Sequence, residues 1–194
     1  MRECEVMMRA EKICKSFGEN KVLDCFSHDF AEGKTTAILG ASGCGKSTLL
    51  NILMGLLEAD SGEVARESDR ISAVFQENRL CENLTVSANI RLVTGKRLTK
   101  SEIAAELSAV GLSGCAEKAV RMLSGGMKRR TALVRALLAE YDILFLDEPF
   151  KGLDSDTKSA VIAYTKAKTA GKTTVLVTHD MSECEQLADE IIRL

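Results

Sequence analysis

No stretch of the 194-residue chain restricts its fold as tightly as Gly40-Ala41-Ser42-Gly43-Cys44-Gly45-Lys46-Ser47. Ahead of it runs Thr35-Thr36-Ala37-Ile38-Leu39, an apolar run that reads as a buried strand. Behind it, Leu49, Leu50, Leu53, Met54 and Leu57 recur at helical spacing, so residues 47–57 read as a helix. The loop between them matches G-x-x-x-x-G-K-[ST], and the chemistry explains that spacing. Phosphate oxygens need a ring of backbone N–H donors, which a glycine-rich turn presents without side-chain obstruction. The helix that follows points its positive end at the same anion. Lys46 adds a full charge at the β- and γ-phosphates, and the Ser47 hydroxyl can ligate Mg²⁺. A chance match in a chain this long has a probability on the order of one percent. The loop therefore reads as a nucleoside-triphosphate site.

The remaining elements arrange themselves around this loop. Residues 1–34 alternate weakly and carry turn signals at Gly18-Glu19-Asn20 and Glu32-Gly33, the marks of short antiparallel strands. Ile71 to Phe75 reads as a further strand. From about 82 to 122 the pattern turns polar and helical, broken at Gly95, Gly111 and Gly114, which suggests a small helical insertion. Strands and helices then alternate: a strand at Ile143–Leu146, a helix from Asp154 to Ala170 and a strand from Thr173 to Val177. A short helix from Met181 to Ala188 and a last strand at Ile191-Ile192 follow. Such alternation predicts an α/β fold, a mostly parallel central sheet with helices on both faces.

Two further segments carry chemistry. The apolar strand Ile143–Leu146 delivers Asp147-Glu148 at its carboxyl end. There Asp147 can meet a metal ion and Glu148 can polarise an attacking water. Leu123-Ser124-Gly125-Gly126-Met127 precedes another helix. Ser124 is a natural N-cap, and the two glycines leave the helix start open to a close anion. By itself that segment would be an ordinary capped helix.

The order of these parts is specific. The phosphate loop, Gln76 after a strand, the LSGGM segment, the strand ending in Asp147-Glu148, Gly152-Leu153-Asp154 and His179 together resemble the ATP-binding subunits of ABC transporters. The resemblance runs from about Phe17 to Ile192. It implies a P-loop NTPase fold with an N-terminal antiparallel β subdomain and a small α-helical subdomain. One domain would then span residues 1–194, with the helical part inserted at approximately 82–138. The implied cofactors are ATP and Mg²⁺. Phe17 would stack on adenine, and the loop from Gly40 through Ala41, Ser42, Gly43, Cys44, Gly45, Lys46 and Ser47 to Thr48 would hold the phosphates. Ser47, Gln76 and Asp147 would serve the metal. Glu148, His179 and Lys46 would be catalytic, with His179 hydrogen-bonding the γ-phosphate. Ser124, Gly125, Gly126 and Asp154 would complete a site on a second subunit.

The resemblance also implies partners: a second ATP-binding subunit, as a homodimer, integral membrane permease subunits, and an extracytoplasmic substrate-binding protein. The segments Glu82–Ile90 and Thr178–Asp189 are similar to bacterial importers of the nitrate/sulfonate/taurine group. The implied location is cytoplasmic, peripheral on the inner face of the cell membrane. Nothing in the chain approaches the roughly 20 apolar residues of a membrane-spanning helix, so the pore is expected to be a separate chain. The N-terminus, Met1-Arg2-Glu3-Cys4-Glu5, lacks a signal peptide's apolar core. Two departures from the family pattern remain: Met127 stands where glutamine is commonest, and the chain ends soon after His179, with no appended regulatory domain expected.

Charge and cysteine content narrow the field. A net charge of −2 gives no reason to expect nucleic acid as a partner. That weighs against the alternative of a soluble ABC-type ATPase acting on nucleic acid or ribosomes, as does the lack of a tandem second cassette. The seven cysteines are odd in number and form no CxxC pair, so reduced thiols fit better than a disulfide framework or zinc site. Lys128-Arg129-Arg130 reads as a solvated or interface-facing helix surface, and His28 as a surface residue.

Overall fold

The structure is a computed structural model that describes residues 5–194. Met1 to Cys4, on which the N-terminal reading and one cysteine fall, lie outside the described residues. Two sheets organise the chain. The first is antiparallel, with β1 (Val6–Phe17) between β2 (Asn20–Ala31) and β4 (Ser61–Arg66). The second is wholly parallel and five-stranded. Its order is β5 (Ile71–Val74), β6 (Ile143–Asp147), β7 (Thr173–Thr178), β3 (Thr35–Leu39) and β8 (Glu190–Arg193).

Every residue of β6 and β7 is buried, as parallel strands covered on both faces require. Successive side chains point to opposite faces, and each face has its own core. Leu144, Leu146 and Leu176 pack with Val86, Ile90, Leu107, Leu133 and Val161 from the helices. Ile143, Phe145, Val175 and Val177 pack instead with Leu49, Leu50 and Leu53, and with Met8, Ile13 and Phe30 of the antiparallel sheet. The parallel sheet thus has helices on one face, and on the other the helix α1 (Lys46–Leu53) with the antiparallel sheet laid beside it. Between β5 and β6 the chain forms α2 (Val86–Thr94), α3 (Lys100–Ala109), a 3₁₀ turn at Val120–Met122 and α4 (Gly125–Leu137). Thr85 and Thr99 cap α2 and α3, and Glu102 closes a capping box at the second. The helices α5 (Ser155–Thr169) and α6 (Met181–Leu187) complete the chain.

Three features differ from the sequence reading. The N-terminal strands are not short, since β1 and β2 each run for 12 residues. The helix after the phosphate loop ends at Leu53 rather than Leu57, because Gly55 turns the backbone to φ +74°. β4 was not foreseen. Its sequence, Ser61-Gly62-Glu63-Val64-Ala65-Arg66, carries almost no apolar alternation, and it is placed by pairing with β1 at the sheet edge.

That pairing depends on one glycine. A Cβ at Gly62 would lie 2.3 Å from the Glu11 carbonyl oxygen and 2.4 Å from that of Lys12, at φ +85°. β1 bulges at this point, shifting register between Glu11 and Cys14. Gly62→Ala should therefore lower the unfolding free energy by about 2 kcal/mol. The check is the denaturant midpoint at constant slope; an unmoved midpoint would mean that β4 does not approach β1 this closely.

Candidate functional site: a nucleotide cleft

A cleft of about 680 Å³ opens at the carboxyl ends of β3, β6 and β7, where ligands of open parallel sheets bind. Its volume suits a nucleotide-sized molecule. The β1–β2 hairpin contributes Phe17 and Val22, and the loop after β3 contributes Ala41, Ser42, Gly43, Gly45, Lys46, Ser47 and Thr48. Gln76 enters after β5, Asp147, Glu148 and Lys151 after β6, and His179 after β7. The Phe17 ring is 53% exposed, an open platform with the Lys15 ammonium 5.7 Å from its centroid.

The phosphate loop is held from below. Gly45 caps α1 with φ +103°, and a Cβ there would meet Val22 Cγ1 at 2.7 Å. Gly40 leaves no more room, with Cys44 Sγ 2.6 Å from a hypothetical Cβ. Gly40 and Cys44 thus support the loop from behind and do not line the cleft. The Lys46 ammonium arches across the loop, donating to the carbonyls of Gly40 at 2.8 Å and Ala41 at 2.7 Å.

Across the cleft, Asp147 is buried, and burial raises its pKa while a hydrogen bond from Ser47 lowers it. Its Oδ1 is buried with no hydrogen-bond partner. An orphaned carboxylate oxygen beside a serine hydroxyl is a donor set that fits a hard divalent cation. Glu148 sits at φ +49°, a left-handed conformation rare for a side-chain-bearing residue. That turn places its carboxylate 2.8 and 2.9 Å from His179 Nδ1. A carboxylate only accepts, so Nδ1 carries the proton.

The His179 loop is braced by ionic contacts behind it. The Thr178 hydroxyl donates to buried Glu183 at 2.6 Å, and Lys158 bridges Glu183 and Asp180. Lys158 and Ser182 together pull the Asp180 pKa down to about 2.

Arg129 is the residue that sequence reasoning misplaced. It is not part of a solvated surface but 5% exposed. Its guanidinium donates to the carbonyls of Phe75, Gln76, Asp147, Glu148 and Pro149. One planar cation with five N–H groups thereby ties the start of the Gln76 segment to the end of β6. Burial lowers its pKa, opposed by attraction to Asp147 and Glu148. Its neighbours are also engaged: Lys128 pairs with Glu82 at 2.6 Å, and Arg130 donates to the Val110 carbonyl at 2.8 Å. No sequence signal separates Arg129 from these two. His28 likewise is not a surface residue, since it stacks edge-on against Phe30 and its side chain is 15% exposed.

Besides Gly40 and Cys44, the structure keeps four more of the expected site residues away from this cleft. Ser124 caps α4 by accepting from the Met127 N–H, and both it and Gly125 are exposed. Gly126 backs onto Leu153 and the Gly152 carbonyl, next to Asp154, which caps α5. These residues gather on a second surface, with none lining the cleft. Among residues not singled out from sequence, Val22 and Lys151 line it.

A glycine loop between a buried parallel strand and a helix, facing an acidic strand end, defines a P-loop nucleoside-triphosphatase. Comparison with known proteins makes this more specific. The ABC transporter family model matches residues 23–151. An aliphatic sulfonates import ATP-binding protein, SsuB 1 of Agrobacterium fabrum, is 41% identical, covering 98% of this chain and 71% of its own. SsuB 1 of Pseudomonas syringae pv. syringae is 38% identical, covering 92% of this chain and 76% of its own. Among solved structures, the dimeric structure of MJ0796, a bacterial ABC transporter cassette, superposes with a TM-score of 0.84 at 29% identity. That match covers 97% of this chain and 94% of the other. The chain belongs to the ABC transporter family, as an ATP-binding cassette.

Removing the Arg129 side chain would take a donor from all five carbonyls, of which Glu148's alone is also shown accepting from the Lys151 N–H. Arg129→Ala should cost about 3 kcal/mol of stability, with Arg129→Lys recovering only part because a point charge cannot span the set. Thermal or denaturant unfolding of the two variants checks this. Wild-type stability in Arg129→Ala would rule out the clamp.

Proposed function

We propose that the chain is the ATP-hydrolysing subunit of an ABC importer, acting as a head-to-tail pair beneath separate membrane permease subunits. One observation carries this reading. A lysine-bearing glycine loop, a buried carboxylate with an unpaired oxygen and a carboxylate–imidazole pair converge on one cleft. The domain assignment follows the same reading: a single cassette over residues 1–194, with a helical subdomain at approximately 82–138.

In this mechanism adenine stacks on Phe17, and the backbone N–H groups of residues 41–48 and the Lys46 ammonium hold the β- and γ-phosphates. Ser47, Asp147 and Gln76 would hold Mg²⁺, which when bound neutralises charge on those phosphates. Glu148 accepts a proton from the water aimed at the γ-phosphorus. In the neutral His179 ring, Nδ1 donates to Glu148 and Nε2 carries no proton. For His179 to donate to the γ-phosphate, it must release Glu148 or gain a second proton. On the first route, substrate binding frees the base as the γ-phosphate engages His179.

Ser124, Gly125, Gly126 and Asp154 complete the site of the opposite subunit. The exposure of Ser124, Gly125 and Asp154 away from the chain's own cleft supports this assignment, as does the dimeric state of the MJ0796 structure. A second structure of that cassette is of a post-hydrolysis state bound to ADP and Pi, in keeping with turnover. No helix of the described residues is long and apolar enough to cross a membrane, so translocation falls to a partner. The importer names of the relatives favour transport over action on nucleic acid, and make aliphatic sulfonates the first cargo class to test. An extracytoplasmic substrate-binding protein and a place on the inner face of the cell membrane complete the proposal.

Glu148→Gln should keep ATP binding, lower turnover by at least about 100-fold and accumulate an ATP-bound dimer by size-exclusion chromatography. Near-normal hydrolysis would remove Glu148 from this role. Lys46→Ala should weaken ATP binding itself, measured by calorimetry, and an unchanged affinity would contradict the phosphate assignment. Chelation with EDTA should abolish hydrolysis and excess Mg²⁺ restore it; turnover that survives EDTA would count against the metal set.

A further inference from the structure

Cys14 on β1 and Cys25 on β2 face each other across the antiparallel hairpin, with their Sγ atoms 3.2 Å apart. Two features of the backbone bring them together. The β1–β2 register slips on both sides of Cys14, and Cys25 adopts φ +51°, a left-handed conformation that nothing but local structure would hold. The Cys25 N–H donates to Cys14 Sγ at 3.1 Å, an arrangement that favours the thiolate. Cys25 is exposed and Cys14 partly so, which leaves the pair open to small reagents. Most of the other cysteines lack this setting. Cys115 and Cys184 are buried, Cys44 lies behind the phosphate loop, and Cys81 is exposed.

We propose that Cys14 and Cys25 form a thiol–disulfide site that is closed reversibly by low-molecular-weight disulfides. Hydrogen bonds from Ser61 and Cys25 hold the Cys14 thiol below its usual range, so Cys14 is the attacking sulfur. Its thiolate attacks a disulfide RSSR, forming the mixed disulfide Cys14–S–S–R and releasing one thiolate. The Cys25 thiol then loses its proton and attacks the Cys14 sulfur, displacing the second thiolate. The two cysteine protons go to the leaving groups, giving two RSH. The cysteine pair is oxidised and RSSR reduced, and excess thiol reverses both steps.

The position gives the site a consequence. Phe17 lies three residues beyond Cys14 and Val22 three residues before Cys25, and both line the cleft. Bonding contracts the sulfur separation to about 2.05 Å, which draws β1 and β2 together beneath these two side chains. The reduced hairpin is the one shaped to the cleft, so oxidation weakens nucleotide binding. Asp24 brings a carboxylate within 4.8 Å of both sulfurs, which makes a soft-cation site the competing use of the same groups. The sulfurs are closer than two thiolates sharing one zinc at about 2.3 Å in a tetrahedral site. That favours the disulfide.

The test treats the full-length protein with glutathione disulfide, then alkylates free thiols and maps peptides by mass spectrometry. A peptide cross-linked through Cys14 and Cys25, lost on adding reduced glutathione, is the expected result. ATP affinity should fall by about fivefold in the oxidised wild type. The Cys25→Ser variant, oxidised identically, should not show that fall, and it controls for modification at Cys44 or Cys81. Alkylation of both Cys14 and Cys25 after oxidation overturns the proposal, as does an unchanged or raised affinity. Stoichiometric Zn²⁺ binding that requires both cysteines and prevents cross-linking would assign the pair to a metal instead.

Discussion

The buried guanidinium of Arg129 joins the two acting edges of this cassette. An arginine in a protein interior needs every N–H satisfied, and here the acceptors are main-chain carbonyls from two different strand ends. The arrangement works because carbonyl groups at strand ends have no further sheet partner. Gln76 follows directly from one edge, and Glu148 stands at the other. The clamp belongs to α4, whose first turn carries Ser124 and the two glycines. A single helix therefore carries the exposed Ser124 turn, proposed to face a second subunit, and grips the ends of β5 and β6 through Arg129. Through Arg129 the helix is tied directly to the Glu148 backbone.

The parallel sheet supplies the fixed frame for this arrangement. Its two faces are filled by separate cores, and β6 and β7 have no exposed residue. Only their carboxyl ends reach solvent, and those ends carry Asp147, Glu148 and His179. One of the strained backbone positions lies in the same place. Glu148 takes a left-handed backbone to reach His179, while its own N–H is held by the Val177 carbonyl. The braced loop behind His179, with Lys158 between Asp180 and Glu183, keeps the imidazole on its strand end without touching the ring.

Much of this was legible in the sequence wherever a local pattern carries the physics. The phosphate loop, the strand before Asp147 and the alternation after residue 140 are set by short-range spacing, and the structure has them. β4 was not legible, because its placement comes from backbone pairing with β1 and from a missing Cβ at Gly62, neither of which leaves an apolar period. Arg129 was hidden for a different reason. Between Lys128 and Arg130 it looks like part of a charged run, and only the fold puts it inside. Cys14 and Cys25 are eleven residues apart with no motif between them, and a bulged register brings their sulfurs together.

Gly45 meets two demands at once. It turns the loop at φ +103°, and it lies so close to Val22 that a methyl group would not fit between them. The hairpin bearing Phe17 therefore rests directly on the glycine turn between β3 and α1. In the proposed mechanism, base and phosphate ends of the nucleotide would be gauged by one continuous surface, since Val22 and Gly45 touch. On that reading the cleft is a calliper whose span is set by this contact, and anything that tilts the hairpin would reset it.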